Sequence, residues 1–275
     1  MLTRLQDLVR QFHLARRLSQ HPQLCRLVVD SLNAEDQPEA DLQYNEKFHV
    51  LDELSSLWGF EIYNHHSSWM TDTAFWQLWQ DFPLAGQRPD RKFVLWSLAN
   101  SLQNIPGDTV ECGVLYGHSS HVICSAMHQD HQRVHHAFDS FEGLSEPAAE
   151  DTVETTRAYS WKKGDLSVSL DEVQRNLKTF ERIEYYQGWI PERFSEVSER
   201  TFAFVHVDVD LFQPTYDSLE FFCERLVPGG IVVCDDYGFN TCPGARRAVD
   251  MVSENTGFPV IHLPTGQGVM IRPHA

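Results

Sequence analysis

The residues best suited to chemistry lie between Phe204 and Tyr237. Two apolar runs there end in acids. One reads Phe204-Val-His-Val-Asp208-Val-Asp210; the other, after a helical stretch, reads Ile231-Val-Val-Cys-Asp235-Asp236-Tyr237. In an open α/β sheet, ligands bind outside the carboxyl ends of the strands. Asp208, Asp210, Asp235 and Asp236 are expected to converge there. Carboxylates brought together in this way repel one another unless a cation sits among them. A donor set made only of oxygen points to a hard divalent ion, Mg2+ or another divalent cation.

A second constellation lies upstream, in Val110-Glu111-Cys112-Gly113-Val114-Leu115-Tyr116-Gly117-His118-Ser119-Ser120. Glycines at the exit of a strand permit positive φ and a close approach of backbone to ligand. The helix that follows offers free N–H groups to an anion such as a carboxylate. The spacing is G-x-x-x-G rather than G-x-G-x-x-G, so the dinucleotide fingerprint is absent and a dehydrogenase is disfavoured. Further on, a second strand ends in Phe138-Asp139-Ser140-Phe141-Glu142-Gly143. An acid at that place is positioned to accept hydrogen bonds from ribose hydroxyls. Asp139, with its neighbour Ser140, is the candidate, and the pair of motifs points to a nucleoside-containing cofactor.

The elements that must carry these residues alternate strand and helix from Thr109 onward. Strands are expected at Thr109–Val114, Val134–Phe138, Ile183–Tyr186, Phe202–Val207 and Ile231–Cys234, and a terminal hairpin at Pro259–Leu263 and Gly268–Ile271. Helices are expected at Ser119–Met127, Ser167–Thr179 with Asp165 as N-cap, Tyr216–Arg225 and Gly244–Glu254. Residues 139–163 read as a long acidic loop. The alternation implies an α/β fold with a mostly parallel sheet and right-handed crossovers. Asp90–Leu102 has a helical apolar period and stops at Ile105-Pro106-Gly107.

The first 87 residues differ in character and are expected to form a helical N-terminal extension, a lid over the acceptor or a subunit contact. Residues 1–30 are arginine-rich with a helical apolar period, and Asn33–Asp41 reads as a loop. Five of the seven tryptophans, Trp58, Trp69, Trp76, Trp79 and Trp96, fall in the first hundred residues; partial helical spacing makes Trp69, Trp76 and Trp79 expected core residues. Residues 83–89 read as a linker into the second unit, 88–275.

Composition sets bounds. A formal net charge of −17 disfavours nucleic-acid backbones and anionic membranes as partners. No apolar stretch approaches the ~18 residues of a membrane span. The six cysteines include no C-x-x-C pair, so a reducing, cytoplasmic compartment is expected. His118 and His121 stand three apart on a helix but lack an evident third ligand and are expected to pack. His65-His66 and His135-His136 are adjacent pairs whose side chains diverge.

In order along the chain, Val-Glu-Cys-Gly with its following Gly and Ser, Phe138-Asp-Ser-Phe-Glu-Gly-Leu144, Gly188-Trp-Ile-Pro-Glu192, Asp208-Val-Asp-Leu-Phe212 with Pro214-Thr215, Pro228-Gly-Gly230, Asp235-Asp-Tyr-Gly238 and Gly244-Ala-Arg-Arg-Ala-Val-Asp250 resemble the macrocin O-methyltransferase (TylF-type) family. The resemblance covers roughly residues 88–273. It implies a Rossmann-like class I methyltransferase fold, a seven-stranded sheet with a reversed last hairpin and helices on both faces, and S-adenosylmethionine as cofactor. It implies that Glu111, Gly113, Gly117 and Ser119 hold the methionine end, Asp139 the ribose, and Gln187, Gly188 and Trp189 the region of the adenine. Asp208, Asp235 and Asp236 match the family's metal ligands. Phe212 departs from the pattern, standing where tyrosine is common. The resemblance also implies self-association into a homo-oligomer.

The expected reaction is metal-dependent O-methylation of a hydroxyl on a small molecule of sugar or natural-product type. A sulfonium methyl is already activated, so the protein must deprotonate and aim the hydroxyl, and a coordinating divalent ion lowers the hydroxyl's pKa. Asp208 and Asp210 are the catalytic candidates, and sequence leaves open which of them is the base. A metal-dependent hydrolase or phosphatase, and a non-catalytic subunit with the same fold, are the competing readings.

Overall fold

A computed structural model describes residues 72–82, 89–127, 132–153 and 160–274. The expectations for residues 1–30, Asn33–Asp41, the His65-His66 pair and the 83–88 linker lie outside the described residues. Within the unit Trp69–Ala275, seven strands form one sheet: β1 (Asp108–Cys112), β2 (His135–Asp139), β3 (Ile183–Gln187), β4 (Phe202–Val207), β5 (Leu226–Cys234), β6 (Ile261–His262) and β7 (Gly268–Ile271). Their order is β3-β2-β1-β4-β5-β7-β6. β1 to β5 run parallel, and β7 runs antiparallel to β5 and β6. This is the class I methyltransferase topology with its reversed last hairpin.

Among the described residues six α-helices clothe the sheet: α1 (Thr73–Asp81), α2 (Pro89–Ser101), α3 (His118–Ala126), α4 (Leu170–Asn176), α5 (Phe212–Arg225) and α6 (Pro243–Thr256). The strands are buried on both faces, which is why they read as near-continuous apolar runs. Their period of two still sorts the side chains. Phe204, Ile231, Val233 and Val269 join Leu95 and Ala99 of α2 and Val122, Ile123 and Ala126 of α3. Val110, Cys112, Val205, Val207, Val232 and Cys234 face the other way, onto Leu219, Phe222 and Cys223 of α5 and Val249 and Val252 of α6. A smaller cluster packs Val173 and Leu177 of α4 under Val114, Ala137 and Phe141.

α1 packs on α2 and α3 through Phe75, which is fully buried against Phe93 at 5.1 Å between ring centroids. Trp79 and Phe82 sandwich the His118 ring at 4.5 and 4.7 Å. Neither ring nitrogen of His118 has a hydrogen-bond partner among the described residues. Burial pushes the His118 imidazole down to about 3, so it packs as a neutral aromatic. The adjacent histidines of β2 diverge across the sheet: His135 bonds Thr109 and Ser120, and His136 bonds Tyr186 and Asp108.

Three element boundaries differ from expectation for local reasons. β5 starts at Leu226 because the chain enters the ladder straight from α5; Phe202 pairs with Leu226 and Phe204 with Ile231. The intervening Pro-Gly-Gly is a bulge in a strand, not a turn before one. α5 begins at Phe212, since Pro214 sits in its first turn, where a missing N–H costs nothing. α4 is capped by Ser169, whose hydroxyl accepts from the Glu172 amide at 3.4 Å. Asp165 instead turns back to accept from the Lys162 amide. Among the described residues no helix is long and apolar enough to cross a membrane.

Candidate active site

Strand register builds the site. Glu111 of β1, His206 of β4 and Val233 of β5 lie side by side. Two residues further on, the same face carries Gly113, Asp208 and Asp235. A Cβ on Gly113 would land on the carbonyl oxygen of Asp208, and its φ is +85°, so only glycine lets β1 and β4 approach this closely at their ends. Beyond the strands, Asp210 takes a left-handed φ of 60° and donates its amide to Asp236 Oδ2 at 3.1 Å.

The four carboxylates are not equivalent. Asp235 is surrounded by donors. The Arg91 guanidinium, from the first turn of α2, bonds both its Oδ2 and its backbone carbonyl. Gln267 donates to Oδ1 at 2.6 Å, and His206 Nε2 lies 3.4 Å from the same oxygen. Burial alone would raise the Asp235 pKa, but Lys92, His206 and Arg91 hold it well below the usual carboxylate range. Burial and the Asp235 charge push Asp208 up to about 7. Burial lifts Asp210 to about 6, against the opposing bond from the Cys242 thiol. Asp236 is raised well above the ordinary range by burial and by Asp210, Asp208 and Asp235. Burial disfavours the charged form of His206, yet the Glu111 hydrogen bond and the nearby Asp235 carboxylate lift its pKa to about 9.

Two groups of ligand atoms, each within 4.8 Å of one another, follow among the described residues: His206 with Asp208 and Asp235, and Asp210 with Asp236 and Cys242. The expected trio Asp208, Asp235 and Asp236 is thus spread over both groups. Its chemistry fits a divalent cation. Asp208, Asp210 and Asp236 are raised chiefly by burial and, second, by one another and Asp235, and a cation among them would relieve both effects.

A cavity of about 220 Å³ opens beside them at the carboxyl edge of β1 to β4. Gly113, Asp139, Ser140, Trp189, Asp208 and Asp210 line it, together with Leu115, Leu144, Leu166 and Leu211. Asp139 ties two of its rims together. Its Oδ2 accepts from the Val114 amide at 2.7 Å and from Leu115 at 3.4 Å, and its Oδ1 from Phe141 at 2.7 Å. Every non-glycine residue with positive φ among those described, Leu115, Phe141, Leu166 and Asp210, lies on or beside this cavity. Strain concentrated in one place is what a shaped ligand site requires.

Other sequence-nominated residues stand elsewhere. Glu111 is 1% exposed and points away from the cavity, into a buried cluster with His206 and Ser120. Ser119 is buried and bonded to Lys92. Gly117 caps α3 with its Cα against Leu177. Gln187 and Gly188 end β3 near the rim, where the Gln187 carbonyl accepts from Arg193. Tyr237 donates its hydroxyl to Asp250.

Several contributors escaped the sequence reading. Arg91 and Gln267 come from distant chain segments. Cys242 donates to Asp210 Oδ1 at 3.4 Å and accepts from the Trp161 indole at 3.4 Å. Asp151 accepts from the amides of Phe212 and Ala148, pinning the acidic loop to the start of α5. His206 alone left a usable signal, since it precedes Asp208 by two positions on one strand face.

Comparison with known proteins agrees with this geometry. Residues 97–262 match the family described as Macrocin-O-methyltransferase (TylF). Over 148 residues the chain is 32% identical to 8-demethyl-8-(2,3-dimethoxy-alpha-L-rhamnosyl)-tetracenomycin-C 4'-O-methyltransferase of Streptomyces olivaceus, covering 51% of this chain and 57% of that protein. Over 155 residues it is 31% identical to demethyldecarbamoylnovobiocin O-methyltransferase of Streptomyces niveus, covering 54% and 58%. The chain thus spans a little over half the length of these curated relatives. The structure of the O-methyltransferase NovP superposes with a TM-score of 0.55 at 26% identity, over 67% of this chain and 80% of NovP. Calicheamicin methyltransferase CalS11, at 18% identity and a TM-score of 0.58 over 85% of this chain and 93% of its own, shares the fold. With the family match spanning more than half of the sequence, the chain belongs to the macrocin-O-methyltransferase (TylF) family.

Proposed function

We propose that this protein transfers the methyl group of S-adenosylmethionine to a hydroxyl of a small molecule, a sugar or sugar-bearing natural product, with a divalent cation held by Asp208, Asp235 and Asp236. One observation carries the reading: Asp208, Asp210, Asp235 and Asp236 converge at the strand ends beside a cavity walled by Gly113, Asp139 and Trp189. The printed activities of the relatives, O-methylation in tetracenomycin and novobiocin compounds, favour a glycosylated acceptor.

When bound, S-adenosylmethionine supplies an electrophilic methyl, and a divalent ion lowers the pKa of the hydroxyl. The chain's own residues do the rest. Gly113, lacking a side chain, leaves room for ligand against the β1–β4 seam. Trp189 and the buried Leu211 form the cavity's apolar wall. Asp210 takes the hydroxyl proton as the O–CH3 bond forms and the S–CH3 bond breaks; it lines the cavity, and its partner Cys242 holds only one of its oxygens. Asp208, beside Asp235 and His206, serves as ligand. Burial raises Asp210 to about 6, nearer working pH, where a general base is most effective.

The test is transfer of a labelled methyl from S-adenosylmethionine to a panel of glycosylated hydroxyl compounds, with Mg2+ and with chelator, for wild type and Asp210→Asn. Transfer that needs Mg2+ and collapses in the variant is expected. Failure to bind S-adenosylhomocysteine by calorimetry under any divalent ion would overturn the methyltransferase reading. Undiminished transfer under chelator would remove only the metal.

A further inference from the structure

Beneath the carboxylates, one level down the strands, lies a polar cluster with no access to the cavity. Glu111 Oε1 accepts from His206 Nδ1 at 2.9 Å, while Oε2 takes the Ser120 hydroxyl and lies 3.9 Å from His135 Nε2. His206 is fully buried. Its Nε2 has no hydrogen-bond partner of good geometry and faces Asp235 Oδ1 at 3.4 Å. β1–β4 pairing sets Glu111 and His206 opposite each other, so the backbone fixes their contact.

We infer that Glu111 and His206 are positioning residues that aim the Asp235 carboxylate at the divalent cation, rather than residues that hold the cofactor. This rests on the metal proposed above. Carboxylates crowded at two strand ends turn away from one another unless each is anchored from behind. Asp235 is anchored on three sides: by Arg91 at Oδ2, by Gln267 at Oδ1 and by the His206 imidazole from below. Glu111 in turn fixes the plane of that imidazole. No comparable contact joins Glu111 to the cavity, whose walls begin at Gly113. The position of Glu111 just before a glycine turn suggests a cofactor role; its side chain, on the α2–α3 face of β1, serves the neighbouring strand instead.

The experiment separates two affinities. Mn2+ binding is followed by electron paramagnetic resonance and S-adenosylhomocysteine binding by calorimetry, for wild type, Glu111→Gln, His206→Asn and His206→Gln. Loss of an orienting partner weakens metal binding by about ten-fold or more. That loss is expected in Glu111→Gln and His206→Asn, and less in His206→Gln, whose longer amide reaches toward Asp235. Cofactor-product affinity should stay within about two-fold, which also reports an intact fold. If Glu111→Gln cannot be produced folded, the two His206 variants decide. Weakened S-adenosylhomocysteine binding with Mn2+ affinity retained would assign Glu111 to the cofactor and overturn the inference. Unchanged Mn2+ affinity in all three variants would overturn it as well. A wild type that binds no Mn2+ would remove the metal reading itself, and the inference with it.

Discussion

Asp139, at the end of β2, receives three amides from the loops it joins, whereas Asp208, Asp210 and Asp236, at the ends of β4 and β5, face mainly one another. Both regions bury acids at the same edge of one sheet. On the β2 side the chain itself completes the hydrogen bonding, so the carboxylate acts as a brace. On the β4–β5 side Arg91, Gln267 and His206 gather on Asp235, Arg91 reaches Asp236 only at 3.7 Å, and the neighbouring acids have fewer partners. A brace depends on backbone geometry; a crowded cluster depends on what binds to it.

The sharpest way to test this contrast is to neutralise the crowded side. Asp208→Asn or Asp236→Asn should lower methyl transfer by about 10³-fold, while S-adenosylhomocysteine affinity holds. Equal losses of turnover and cofactor binding would erase the distinction between the two regions.

Disturbing the braced side should instead cost stability. Asp139→Ala strands three amides at a buried rim, and a fall of about 3 kcal/mol in urea unfolding is expected. Asp139→Asn, which keeps an acceptor for Phe141, should cost less. Gly113→Ala, forced onto the Asp208 carbonyl at a left-handed φ, should cost at least as much as Asp139→Ala.

Proton linkage gives a subtler test. Asp208 and Asp210 have folded pKa values near 7 and 6, above the ordinary 3.8. Such groups bind more protons folded than unfolded, so their contribution is present below about pH 4 and is lost as pH rises through 6 to 7. His206, lifted to about 9, contributes below about pH 6.5 and loses that contribution as pH rises through 9. Chelator-treated protein should therefore show a declining urea midpoint from pH 5 to 8. Added Mg2+ should flatten the part due to the aspartates. The smallest effect is expected from Cys242→Ser, which alters one weak donor to Asp210: about five-fold or less in kcat, with KM for the acceptor unchanged.

Much of this site was legible in the sequence for a simple reason. A strand buried on both faces is an apolar run, and acids that follow it mark its end. Asp208, Asp210, Asp235, Asp236 and Asp139 announce themselves in that way, and the strand–helix rhythm fixes their common edge. What stayed hidden depends on pairing between distant segments. Arg91 meets Asp235 across 144 residues of sequence. Nothing in Pro89-Asp-Arg-Lys marks that arginine as different from one facing solvent. Glu111 was nominated through the family resemblance as a contact to the methionine end, and the register of β1 against β4 sets its carboxylate on His206, a contact that sequence does not show. The start of β5 at Leu226 was missed because Pro228-Gly-Gly, which also suits a turn, forms a bulge inside the strand.

The left-handed residues Leu115, Phe141, Leu166 and Asp210 have a consequence for anyone adapting this protein. Each holds a backbone conformation that costs about 1–3 kcal/mol outside glycine. A library selected only for melting temperature will find relief there first, by glycine or asparagine at those positions, and will reshape the cavity as it does so. Heat-hardened descendants of this chain should therefore be screened for turnover at every round, with those four codons held constant.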